Sequence, residues 1–132
     1  VRSGRSENDV RFMAVTKTVD PVYINHAIDC GIDLIGENKV QEFLGKKDAL
    51  KLEKVEKHLI GHLQSNKVRK IITEVDMIQS VDSVSLAKEI ERQAEKNNMT
   101  ANVLIEVNVG GEDSKTGMDK SLFLDSFSIL YT

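Results

Sequence analysis

Five places along this chain put chemically useful residues directly after short apolar runs: Lys17, Glu37 with Asn38, His62, Ser80 with Asp82, and Asn108. In RFMAVTKT at 11–18, the lysine closes an otherwise apolar strand. Desolvation disfavours the ammonium form, so a lysine there can become a competent amine for a Schiff base. The competing reading is an ammonium that reaches solvent past the strand end. From this segment alone that is the commoner case, because lysines are mostly exposed.

In GEN at 36–38 the glycine lets the backbone turn sharply or approach a ligand closely, and Asn38 offers both donor and acceptor. A strand-to-helix turn with an Asn or Glu cap explains the same letters equally well. HLIGHLQSNK at 58–67 is the most distinctive string, and strand alternation would place His58, Ile60 and His62 on one face. A metal reading lacks ligands: the only other histidine is His26, and no cysteine lies near. A phosphate-cradling reading is weak without a glycine-rich loop. His62 taken alone is more often a satisfied structural histidine. Asp82 reads as a helix cap. In the segment 103–109, Glu106 and Asn108 share a face with Leu104, while Val103, Ile105, Val107 and Val109 form an apolar face directed at helices. The glycine-rich loop that follows carries Lys115 at its tip, either solvated or on a rim.

The elements that must position these residues repeat. Apolar runs at 12–15, 34–35, 59–60, 77–78 and 103–105 recur about every 19 to 26 residues, with helix-like segments between. Asp20-Pro21 predicts a capped helix start, Ile24, Ala27 and Ile28 its apolar face, and Gly31 its stop. A second helix is predicted over 39–51, with Val40, Phe43 and Leu44 inward, and a short basic one over 65–73. A fourth, capped by Asp82, carries Leu86, Ala87, Ile90 and Ala94; a fifth, capped by Asp119, carries Phe123, Phe127 and Leu130. Five β-α repeats predict an α/β fold of parallel strands. If the sheet curls into a (β/α)8-type barrel, the polar strand ends converge on the rim where active sites lie.

Composition narrows the function. The 132 residues can bury one core, and no linker or low-complexity tract suggests a boundary, so one domain is expected. A net charge of −3 without long runs of one sign gives no case for nucleic acid. One cysteine cannot form an internal disulfide, and no segment reads as a signal peptide or membrane span. The expected compartment is the cytoplasm.

Each signal is modest alone, but their joint order is specific. AVTKT at 14–18, GEN at 36–38, HLIGHLQSNK at 58–67, SVD at 80–82 and VNVGGEDSKTG at 107–117 resemble, in register, the pyridoxal-phosphate homeostasis protein family. The match runs from about Arg11 to Gly117. The family is itself similar to the barrel domain of alanine racemases but stands without a second domain. The resemblance implies a cytosolic protein holding pyridoxal 5'-phosphate as an internal aldimine on Lys17, with no substrate turnover. It implies that Asn38, His62 and Ser80 line the cofactor side and that Lys115 is a secondary contact. Recipient partners would be apoenzymes dependent on that cofactor, with no metal, nucleic acid or membrane involved.

Set against the family, the chain is expected to be one partial barrel domain over 1–132, a fragment or truncated product lacking the C-terminal strands. A full barrel has eight strands and typically about 250 residues. The family's phosphate-holding turns and late arginine would lie on the missing part, so weaker cofactor affinity is expected. Two other functions stay open. One is a racemase-type enzyme, for which neither Tyr23 nor Tyr131 is a convincing second base. The other is a fragment that no longer binds the cofactor. Open first and last strands would expose backbone groups and apolar side chains, so a dimer or larger assembly is expected.

Overall fold

The computed structural model describes residues 4–111 and 116–119. Strands β1 (Ala14–Val15), β2 (Leu34–Glu37), β3 (Glu56–Leu59), β4 (Met77–Val81) and β5 (Val103–Ile105) form one sheet in chain order. Every neighbouring pair is parallel. Parallel neighbours need crossovers, and helices α1 (Pro21–Asp29), α2 (Val40–Lys46), α3 (Val68–Ile71) and α4 (Val84–Lys96) supply them. The expected α/β class with parallel strands is therefore present. A separate ladder pairs β6 (Val107–Asn108) with β7 (Met118–Asp119), also in parallel.

Local chemistry sets the helix ends. Asp20 accepts a hydrogen bond from the Val22 amide at 2.9 Å, and Pro21 opens α1 without needing a donor. Past its end Gly31 takes φ +104°, a conformation that suits glycine, and its amide returns to the Ile28 carbonyl at 2.9 Å. The second predicted helix is shorter than 39–51: α2 ends at Lys46 and tightens into a 3-10 turn over Lys47–Ala49. The third begins as a 3-10 turn over Ser65–Lys67 before α3.

Two expectations need correction. Ser83, not Asp82, caps α4: its hydroxyl accepts from the Leu86 amide at 3.3 Å. Asp82 is thereby released for another partner, described below. The stretch 103–109 is not one strand. It breaks at Glu106, whose amide donates to the Val81 carbonyl at 2.9 Å and whose carbonyl accepts from the Met118 amide at 2.7 Å. With the strand broken, the uniform apolar face is lost, and Val103 and Val109 are exposed. Asp119 lies in β7, and the helix expected after it falls outside the described residues.

The core lies between sheet and helices. Phe43 from α2, Leu59 from β3, Ile71 from α3, Ile78 from β4, and Leu86 and Ile90 from α4 are buried in one cluster. Burying a side chain of this size contributes about 1.5–3 kcal/mol, so the cluster fixes the middle strands firmly. At the outer strands apolar groups face outward instead. Phe12 and Val15 near β1, and Val103 and Leu104 on β5, are exposed.

Candidate functional site

Lys17 sits in the turn directly after β1 and is exposed. The turn is held on both sides of it. The Thr16 amide donates to the Gly36 carbonyl at 3.0 Å, and the Thr16 carbonyl accepts from the Lys46 ammonium at 2.7 Å. The Thr18 hydroxyl donates to the Lys17 carbonyl at 2.7 Å, and the Thr18 amide donates to the Glu42 carboxylate. Thr18 has φ +59°, a conformation costly for a residue with a branched side chain. The Lys46 ammonium also pairs with Glu37 at 2.6 Å and Glu42 at 3.1 Å, and the Thr16 hydroxyl donates to Glu37. Glu37 Oε2 is buried and makes no hydrogen bond. The Thr18 amide, ahead of Lys46, holds the Glu42 carboxyl below the usual glutamate range.

The lysines divide into two kinds. Lys46, Lys47, Lys51 and Lys57 each face a carboxylate. Lys17, like Lys39, Lys54, Lys67, Lys70, Lys88 and Lys96, has no ion pair among the described residues; what sets it apart is its braced turn at a strand end. The desolvation expected of a lysine closing an apolar strand is not found, because the Lys17 side chain stands in solvent.

The next strand ends interlock through backbone rather than charge. A methyl group added to Gly61 would stand 2.3 Å from the Asn38 carbonyl oxygen, so only glycine permits this close approach. The Gly61 carbonyl in turn accepts from the Ser80 hydroxyl at 2.6 Å. Ser80 is buried, whereas Asn38 is half-buried. Three motifs far apart in sequence are thus fastened in one line: Asn38 beyond β2, Gly61 beyond β3 and Ser80 in β4.

The histidines separate cleanly. His58 is buried, with Nε2 at 2.7 Å from Glu56 and Nδ1 at 2.7 Å from the Gln79 amide nitrogen. A carboxylate can only accept, so Nε2 carries the proton and Nδ1 accepts from Gln79. Both nitrogens are engaged, and His58 is structural. His62 is exposed, and its Nδ1 lies 3.0 Å from Asp82. The contact joins the ends of β3 and β4 and leaves Nε2 without a hydrogen-bond partner among the described residues. Asp82 is half-buried, so its position is better fixed than that of the ring it contacts.

The structure therefore brings Lys17, Asn38 and His62 to the same edge, the C-terminal ends of three successive strands. It places Ser80 behind them as a fastener. Lys115 lies outside the described residues, and Asn108 sits in β6, paired with Asp119 of β7. Among the described residues no group of three or more His, Cys, Asp or Glu could hold a metal ion. The residues that sequence reading missed are Thr16, Glu42 and Lys46, and Asp82 was named but assigned to the helix cap instead of to His62. The only signal for the lysine was the i,i+4 spacing of Glu42 and Lys46 on one helix face.

Comparison with known proteins bears on this row of residues. The alanine racemase N-terminal domain family matches residues 2–130. The pyridoxal phosphate homeostasis protein of Aquifex aeolicus is 48% identical over 118 residues, covering 89% of this chain and 52% of the relative. PipY of Synechococcus elongatus, solved without PLP, is 33% identical with a TM-score of 0.88, covering 98% of this chain and 60% of that one. With PLP bound the same protein superposes with a TM-score of 0.85 at 31% identity, covering 98% and 59%. The chain spans about half the length of the curated relatives it matches.

Proposed function

The chain belongs to the alanine racemase N-terminal domain family, and we propose that it serves in pyridoxal 5'-phosphate homeostasis, holding that cofactor through Lys17 without turning over a substrate. The observation that carries this reading is an exposed lysine in a braced turn at the C-terminal end of β1, on the same sheet edge as Asn38 and the His62–Asp82 pair. The names of the relatives and the PLP-bound structure of PipY support it. When bound, the cofactor supplies an aldehyde carbon that condenses with a primary amine and releases water. Lys17 is the amine that would hold it. Asn38 offers an amide to orient a polar ring substituent, and His62 offers Nε2 as a polar contact. Ser80 acts at one remove, by fixing the Gly61 backbone that Asn38 packs against.

Partners in this reading are the cofactor itself and apoenzymes that receive it, in the cytoplasm. No helix among the described residues is long and apolar enough to cross a membrane. Racemase-type turnover needs a second base facing Lys17; Tyr23 lies exposed on α1, in the helical layer, and does not provide one. The exposed Phe12, Val15, Val103 and Leu104 at the outer strands support self-association. Light scattering at micromolar concentration should then show a dimer or larger species, and a monodisperse monomer would refute it.

The test of function is a titration with pyridoxal 5'-phosphate, absorbance scanning, borohydride reduction and peptide mass mapping. One equivalent on Lys17, lost in Lys17→Ala, is expected. Label scattered over surface lysines would overturn the proposal. Binding should be weaker than that of a full-length relative titrated alongside. His62→Ala and Asn38→Ala should weaken it further without moving the label from Lys17.

A further inference from the structure

The backbone around Lys17 is held from a neighbouring helix. Its preceding carbonyl, on Thr16, accepts a hydrogen bond from the Lys46 ammonium; its following amide, on Thr18, donates to Glu42. Lys46 and Glu42 are one helical turn apart on α2 and bond each other at 3.1 Å. Lys46 is nearly buried and anchored by Glu37, itself in β2. Helix α2 therefore grips both peptide groups flanking Lys17, and the grip holds Thr18 in its left-handed conformation. Nothing in this arrangement touches the Lys17 ammonium.

We infer that Glu42 and Lys46 are positioning residues, which fix the direction in which the Lys17 amine leaves the strand end and so set its preference for the cofactor over other lysines. The inference rests on the proposed cofactor role of Lys17. Physically, a lysine on a free turn samples many directions, and each must be frozen on capture. A turn clamped by two charge-assisted hydrogen bonds is ordered in advance, which lowers that cost.

Glu42→Ala is the informative variant, because Glu42 is partly exposed and its loss leaves the buried Glu37–Lys46 pair in place. Two readouts are taken on the full chain. The first is hydrogen exchange of the Thr18 amide, with the Ile35 amide in β2 as the measure of global stability. The second is the ratio of borohydride-trapped label on Lys17 to that on exposed Lys70. The Thr18 amide should exchange about tenfold faster or more while Ile35 is unchanged, and the label ratio should fall about five- to tenfold. Glu42→Gln keeps an acceptor oxygen at the same reach and should restore much of both. An unchanged Thr18 amide, or an unchanged label ratio in Glu42→Ala, would overturn the inference. So would a fall in the label ratio that Glu42→Gln does not rescue. A wild-type chain that shows no preference for Lys17 would overturn the functional reading instead, and the clamp would then stand or fall on the Thr18 amide alone.

Discussion

The two ends of the parallel sheet use polar residues in opposite ways. At the N-terminal rim charges are tied to one another across strands: Arg11 reaches Glu56 at 2.6 Å and Asp33 at 3.4 Å, and Lys57 reaches Asp76 at 2.9 Å. Asn102 adds a bond to the Asp76 carbonyl at 3.2 Å. At the C-terminal rim the fastening is done by backbone and by the helix clamp, and Lys17, Asn38 and His62 remain accessible. The same residue types thus serve order at one end and stay open for chemistry at the other. That division is the one expected of a (β/α) barrel, whose active sites lie at the C-terminal ends of the strands.

The contrast can be broken most severely at Gly61. Gly61→Ala forces a methyl group into the Asn38 backbone, so one of the two must move. Overpacking of this kind costs about 1–3 kcal/mol. Denaturant melts should show that loss, and Lys17 labelling should fall with it, because the strand ends carrying Asn38 and Ser80 separate. A variant as stable and as well labelled as the parent would mean that the interlock is dispensable.

The opposite rim should respond in the opposite sense. Arg11→Ala removes an exposed guanidinium, so the melting temperature should drop by no more than a few degrees and Lys17 labelling should not change. The effect also carries a pH signature. Arg11, followed by His58, holds the Glu56 carboxyl below the usual glutamate range. A lowered carboxyl stabilises the fold above its ordinary value, and that contribution is lost as pH falls through the lower folded-state value. The melting difference between parent and Arg11→Ala should therefore be fullest near neutrality and close in acid. A gap that widens as pH falls would contradict this assignment of Glu56.

Much of the fold was legible in the residues. The spacing of apolar runs identified all five strands of the sheet, and Asp20-Pro21 with Gly31 marked both ends of α1. The errors have local causes. Asp82 and Ser83 are both competent caps, and sequence cannot tell which one a distant histidine will claim. The run from Val103 to Val109 has the alternation of one strand, but Glu106 is drawn to backbone partners on Val81 and Met118 that lie far along the chain.

The candidate site divides in the same way. The sequence by itself determined which groups could act, since the amine, amide and imidazole at the ends of apolar runs follow from residue type and periodicity. Only the tertiary structure decided which of them are open. His58 and His62 stand four positions apart in one string, yet one is buried and bonded on both nitrogens and the other is exposed beside a single carboxylate. Lys17 and Lys46 are both lysines near a strand end, yet one is exposed and the other is locked between two glutamates. The reason is that partners from elsewhere in the chain fix burial and hydrogen bonding, and these interactions between distant segments leave no local pattern to read.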